Sequence, residues 1–305
     1  MTLIYYSCLP QFIKLVTDMH LFLMCLFVWG IDTGIGHALA KYLDNMGFIV
    51  FAGVLNKDGP GAEELRRTCS QRLSLLQLDI TNPTQKVQNT GVLVYPSLWG
   101  VVNNAGILGF PADGELLPMS TYRHCMDVNF FGAVEVSKTF LPLLRKSQGR
   151  LVNMSSMAGK LGQVPNAFLV QELSKWGVKV AAVHPSGIQG TSELWDKQEK
   201  DLLENLPAAV RSDYGDDYLQ ELKSYLVRLP AHCDADLSPV LKDVLHALLA
   251  RRPHGLYTPG KGAYLPLCIF CYFPVWFYDF FISKLFSAEP VPRVLRTAEA
   301  GNGNL

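Results

Sequence analysis

The chain has 305 residues, enough to bury one large α/β core with a tail. Its 27 basic and 27 acidic residues cancel, so it lacks the positive excess of a nucleic-acid binder, and no nucleic-acid partner is expected. Seven scattered cysteines, an odd number, do not make a disulfide framework and are expected as reduced thiols.

Residues 1–20 are an apolar N-terminal extension interrupted by Pro10, Lys14, Asp18 and His20. No clean signal peptide or spanning helix is read there. The apolar run 21–29 predicts a buried strand. Gly30, Gly34 and Gly36 follow, and then Ala38, Leu39, Tyr42 and Leu43 recur at helical spacing up to Gly47. A strand, a glycine turn and a helix start suit a phosphate. Glycine lets backbone approach a pyrophosphate, and the free N–H groups of the first helical turn attract negative charge. With Ile35 between the second and third glycines, the turn is read as a nucleotide site in preference to a plain turn.

Residues 48–55 predict a second strand, and Pro60 opens a helix with Glu63 and Glu64 early and Arg66 and Arg67 late. A third strand over 73–80 carries Asp79 near its end. Residues 82–97 should be a crossover helix but carry Gly91 and Pro96, so this crossover reads as irregular. A fourth strand, 98–102, runs into Asn103, Asn104, Ala105 and Gly106. Residues 116–144 read as one helical region with a break at Asn129 as one reading. A fifth strand, 150–154, ends at Ser155 and Ser156, and a sixth, 178–183, ends at His184, Pro185, Ser186 and Gly187. Residues 193–229 read as helical, a substrate-side lid, and 239–250 as a further helix. Strands alternating with helices, with the chemistry at strand C-termini, define a doubly wound parallel α/β fold of Rossmann-like plan.

Residues 263–282 are apolar and aromatic but contain Pro266, Pro274 and Asp279. Trp276, Tyr272 and Tyr278 suit a membrane interface; a buried C-terminal segment is the other reading. The chain thus divides into the extension 1–20, a single domain over 21–262, and an apolar segment with a polar tail over 263–305. No metal is expected. Cys268 and Cys271 lack a second ligand pair, and His37, His124, His184, His232, His246 and His254 show no ligand spacing.

Gly30-x-x-x-Gly34-Ile-Gly36, Asn103-Asn-Ala-Gly106, Asn129 in Val-Asn-Phe-Phe-Gly, and Ser155-Ser156 after Leu-Val-Asn-Met occur in order on the proper elements. In these the chain resembles the short-chain dehydrogenase/reductases. Within that family the likeness is to the branch that oxidises steroid 17β-hydroxyls, carried by Phe51-Ala-Gly-Val-Leu-Asn56, Gly59-Pro-Gly-Ala-Glu-Glu-Leu-Arg-Arg-Thr-Cys69 and Tyr257-Thr-Pro-Gly-Lys-Gly-Ala-Tyr264. The resemblance implies NAD as cofactor, a steroid or similar apolar alcohol as substrate, and an endoplasmic reticulum membrane. The glycine turn would cradle the pyrophosphate, Asp79 would meet the adenine, and Asn103 to Gly106 would line the cofactor groove. Ser156 would hydrogen-bond the reacting oxygen, Asn129 would hold a relay water, and Pro185 and Gly187 would meet the nicotinamide. Simpler readings stand beside these: Ser156 merely ending a strand, Asp79 capping a turn, Asn129 breaking a helix.

The chain also departs from the family. The family's base is a Tyr followed one helical turn later by a Lys whose charge lowers the phenol's pKa. Residues Ser156 to Gly177 contain no Tyr, and a block is missing near 168–171, where the family's dimer helix should run. The single Tyr-x-x-x-Lys, Tyr257 to Lys261, encloses Pro259 and Gly260 and reads as a turn. Ser186 stands where the family has Gly, Thr191 poorly replaces the family's Thr for the nicotinamide amide, and Trp29 replaces a Thr before the first glycine. The expectation is an oxidoreductase by descent with impaired turnover. A non-catalytic dinucleotide-binding or membrane-associated protein is one alternative, and an incomplete gene model or splice form another.

Overall fold

The computed structural model describes residues 24–82, 98–109, 112–156, 172–185, 206–215, 217–228, 236–260 and 290–296, with single residues among 200–204 and 276–280. The chain divides into two compact units. One takes residues 1–106, 128–185 and 237–259; the other takes 107–127, 186–236 and 260–305. Each is made of three segments, so neither is a continuous stretch of sequence.

The first unit is a parallel sheet of β1 (Cys25–Trp29), β2 (Ile49–Val54), β3 (Leu73–Gln77), β4 (Gly100–Asn103), β5 (Arg150–Met154), β6 (Lys179–Val183) and β7 (Leu256–Tyr257), in the order β3-β2-β1-β4-β5-β6-β7. Among the described residues of both units the helices are, in chain order, α1 (Gly34–Asn45), α2 (Pro60–Thr68), α3 (Met119–Met126), α4 (Ala133–Ser147), α5 (Ala208–Tyr214), α6 (Tyr218–Arg228) and α7 (Ser238–Leu249). Strands covered on both faces need apolar side chains throughout rather than in alternation, and all five residues of β1 are buried. Phe27 packs on Phe140 of α4 with ring centroids 4.5 Å apart. Leu144, Leu151 and Leu248 are fully buried around the central strands. The doubly wound Rossmann-like plan expected from the sequence is the one that forms. The reversal of strand order falls between β1 and β4, and ligands of open α/β sheets bind at such a point.

The second unit has its own apolar cluster, in which Tyr218, Leu219 and Leu222 of α6 pack with Leu116 and Leu202. The Tyr218 hydroxyl donates to Asp113 at 2.5 Å. Arg296 pairs with Asp217, just before α6, at 2.9 Å and with Glu221 of α6 at 2.7 Å.

Three readings need correction. The helical region expected over 116–144 starts at Met119, because Pro118 holds extended backbone at the N-cap. It does not break at Asn129. Residues Asp127–Gly132 widen into a π-helical turn between α3 and α4. Strand β7 was not anticipated: its two residues lie just before Pro259 and Gly260, which read as a turn, and only pairing with β6 makes them a strand. The crossover at 83–97 and most of 263–282 lie outside the described residues. No helix among the described residues is long and apolar enough to cross a membrane.

Helix α7 carries a titratable group inside this packing. Burial pushes the Asp243 carboxyl up from 3.8 to about 6, with His254 pulling the other way. The folded protein therefore keeps a proton that the unfolded chain releases. That contribution is fully present below about pH 4 and is lost as pH rises through about 6. Asp243→Asn should raise the melting temperature over the parent chain at pH 8 but not at pH 4, measured by calorimetry across that range.

Candidate active site

The strand register aligns the C-terminal ends of the central strands. Trp29 pairs with Gly53 and Asn103, Asn103 pairs with Asn153, and Met154 with Val183. Gly30 and Ile31 leave β1 by donating their N–H groups to the Gly53 carbonyl at 3.0 and 3.4 Å. Gly30 has φ +70°, and a Cβ there would lie 2.4 Å from the Ala105 Cα. A Cβ on Gly36 would lie 2.3 Å from the Gly30 carbonyl oxygen and 2.4 Å from Asn104 Nδ2. Asn104 Nδ2 donates to that same carbonyl at 2.8 Å. The turn after β1 and the segment after β4 therefore touch at backbone distance, which only glycine permits.

Gly34, with φ +65°, has nothing within 4 Å of its Cβ position. It opens α1, whose N-cap Thr33 makes no side-chain capping bond and whose first turn has no acidic residue. The N–H groups of that turn have no side-chain cap, so they suit a pyrophosphate. Ile35 and Gly36 lie in this first turn. His37 Nδ1 is 3.3 Å from the Ile31 carbonyl oxygen, and its Nε2 is 3.4 Å from Glu64. Lys41 donates to Glu64 at 2.7 Å. Lys41, then His37, hold the Glu64 carboxyl below its usual pKa. Asp32 accepts from the N–H groups of Leu55 at 2.9 Å and Asn56 at 3.3 Å. A carboxylate thus sits beside the end of β2, where the sequence shows no acid.

The segment after β4 has a buried polar anchor. Trp29 is 1% exposed and its indole N–H donates to Asn103 Oδ1 at 3.0 Å. Asn103 Nδ2 donates to Ser137 Oγ of α4 at 2.9 Å and to Asn153 Oδ1 of β5 at 2.7 Å. Ser137 Oγ donates on to the Ala133 carbonyl at 2.7 Å. Trp29, which stands where the family has a Thr, thereby supplies the donor to Asn103 Oδ1. Sequence reasoning noted Trp29 only as a departure and missed Ser137 and Asn153. The signal was present, since a tryptophan in a closed core needs a partner for its N–H.

Asp79 follows β3 and accepts from Thr81 N at 2.8 Å and Thr81 Oγ1 at 2.6 Å, the side-chain turn of its simpler reading. Asn129 lies in the π-helical turn, exposed, with its Oδ1 3.4 Å from the Cβ position of Gly106; such turns recur at functional sites. Ser155 and Ser156 follow β5 and are exposed, with Ser155 N–H donating to the Val183 carbonyl at 2.8 Å. Pro185 is buried beyond β6. Gly187, the stretch 157–171 and Lys261 lie outside the described residues. Every described member of the expected set falls in the sheet unit.

Tyr257 is no stand-in for the missing phenol. Its hydroxyl lies 2.7 Å from His246 Nδ1 and accepts from the His254 backbone N–H at 2.9 Å. Burial pushes its pKa up to about 12, the wrong direction for a base. Among the described residues no group of three His, Cys, Asp or Glu is placed to hold a metal ion.

The Trp29 anchor can be tested directly. Trp29→Phe leaves Asn103 Oδ1 buried without its donor, which should cost about 1–3 kcal/mol, measured by urea unfolding.

Comparison with known proteins agrees with this geometry. The short chain dehydrogenase family matches residues 24–168. The human protein described as 17-beta-hydroxysteroid dehydrogenase type 2 is 54% identical over 294 residues, covering 88% of this chain and 76% of that protein. A short chain dehydrogenase of Burkholderia cenocepacia J2315, solved in complex with NADP, superposes with a TM-score of 0.59 at 18% identity, covering 88% of this chain and 98% of that one. NAD+-bound xylitol dehydrogenase gives a TM-score of 0.59 at 19% identity, covering 77% and 96%. The glycine turn after β1, the Asn-Asn-Ala-Gly segment seated against it and the extent of this identity together make the chain a member of the short-chain dehydrogenase family.

Proposed function

We propose that the chain binds a nicotinamide dinucleotide at the turn after β1 and descends from NAD-dependent oxidoreductases of steroid 17β-hydroxyls, with its own proton-transfer step impaired. The observation that carries the binding is the backbone contact of Gly30 and Gly36 with Ala105 and Asn104, beside the uncapped first turn of α1. The Asp32 carboxylate beside the end of β2 favours NAD, because a negative charge there repels a 2′-phosphate. The likeness to the human steroid dehydrogenase supports estradiol or testosterone as the substrate class. Residence at the endoplasmic reticulum membrane, implied by the family resemblance of the sequence, is part of the same reading. Exposed Trp276 and Phe280, at 69% and 55%, fit contact with such a membrane.

A bound dinucleotide would supply the hydride acceptor. This chain's own residues would do the rest. The first turn of α1 would neutralise the pyrophosphate, and Asn103 to Gly106 would wall the groove. Ser156 would hydrogen-bond the reacting oxygen, and Asn129 would hold a water for the proton's exit. What the stretch from Ser156 to Gly177 lacks is a phenol with a nearby ammonium to take that proton. That lack also favours a second reading, a dinucleotide-binding protein without turnover.

Titrating the full chain with NADH should quench tryptophan emission with transfer to the nicotinamide and saturate; no saturation up to millimolar NADH removes the reading. NADPH should bind about tenfold more weakly, a difference of about 1.4 kcal/mol. Estradiol oxidation with NAD should run about 10²–10⁴-fold below a family member that has its Tyr and Lys. A rate equal to such an enzyme's would overturn the impairment.

A further inference from the structure

At the other end of the sheet, away from the glycine turn, cations gather. Arg150 and Lys179 are the first residues of β5 and β6 and are register partners. Side chains paired across parallel strands leave the same face, about 5 Å apart at the backbone, and like charges so placed repel. Arg251 and Arg252 follow α7 and are exposed. Lys179 Nζ donates to the Arg251 carbonyl. Burial first, then the charges of Arg150, Arg251 and Arg252, push the Lys179 ammonium below its usual pKa. Among the described residues, no carboxylate pairs with any of the four.

Arg150 is 6% exposed. Its Nη1 donates to the Gln148 and Gly149 carbonyls at 3.1 and 3.2 Å, and its Nη2 to the Ala250 carbonyl at 3.5 Å. The guanidinium lies over the Trp99 ring, 4.8 Å from its centroid, while the buried Nε has no partner among the described residues. These carbonyls close α4 and α7 and carry partial negative charge. They account for one buried guanidinium. They do not balance four whole positive charges in one patch.

We propose that the patch formed by Arg150, Lys179, Arg251 and Arg252 is a binding site for a dianionic phosphate-type group, free or as a lipid headgroup. The two exposed guanidinium forks match phosphate oxygens in pairs, and Lys179 adds a point charge. Arg150 fills the floor and sets the potential. The site stands apart from the dinucleotide reading, since it uses the opposite ends of β5 and β6.

The test uses the full chain and the double variant Arg251→Ala/Arg252→Ala, with Lys179→Gln as a second variant should the first not fold. Thermal unfolding is followed against inorganic phosphate, with chloride at matched ionic strength as reference. Sedimentation is followed with vesicles of phosphatidylcholine alone or with phosphatidic acid. In the parent chain, phosphate should raise the melting temperature beyond chloride, and the half-saturating concentration should rise about tenfold in the variant. Binding to phosphatidic acid vesicles that the variant loses names the headgroup as the source; a response to free phosphate alone names the soluble ion. Equal responses in parent and variant to both probes, or no response to either, overturn the proposal.

Discussion

The structure depends on a contact between two pieces of backbone. Gly30 and Gly36 meet Ala105 and Asn104 so closely that a single methyl at either glycine would overlap main-chain or amide atoms. That contact holds the turn after β1 against the segment after β4 at the point where strand order reverses. It leaves the first turn of α1 open beside Gly34. The electrostatics follow from the geometry: backbone N–H groups without side-chain caps concentrate positive potential where a pyrophosphate would lie.

The contact is braced from behind by a buried polar string. Asn103 uses its carbonyl oxygen and both amide hydrogens, toward Trp29, Ser137 and Asn153. One side chain therefore ties β1, β4, β5 and α4 together just below the site. A buried amide with both donors and its oxygen engaged specifies its neighbours strongly, because each lost bond leaves a desolvated group behind. The Trp29 indole N–H closes this string at β1.

The two ends of the sheet carry positive potential of different origin. Near α1 it comes from peptide dipoles and needs few charged side chains. Near the start of β5 and β6 it comes from whole charges, held in part by the carbonyl ends of α4 and α7. Arg150 and Lys179 head adjacent strands by register, and Arg251 and Arg252 arrive only because α7 packs along β5 and β6.

Much was legible in the sequence alone: the apolar runs of buried parallel strands, the glycine turn, the start of α2 at Pro60, and the absence of a phenol between Ser156 and Gly177. These rest on local rules, the period of a strand or helix and the backbone freedom of glycine, so neighbours in sequence suffice to state them. Tertiary structure alone decided the rest. Strand β7 exists only through pairing with β6, and Asn129 sits in a widened turn instead of a helix break. Trp29 and Asn103 find each other across 74 positions, and Asp32 reaches the end of β2 across 23. Tyr257 turns its hydroxyl to two histidines, and four cations converge from three places in the chain. Such contacts depend on the order and register in which strands lie side by side, and no window of sequence carries that order.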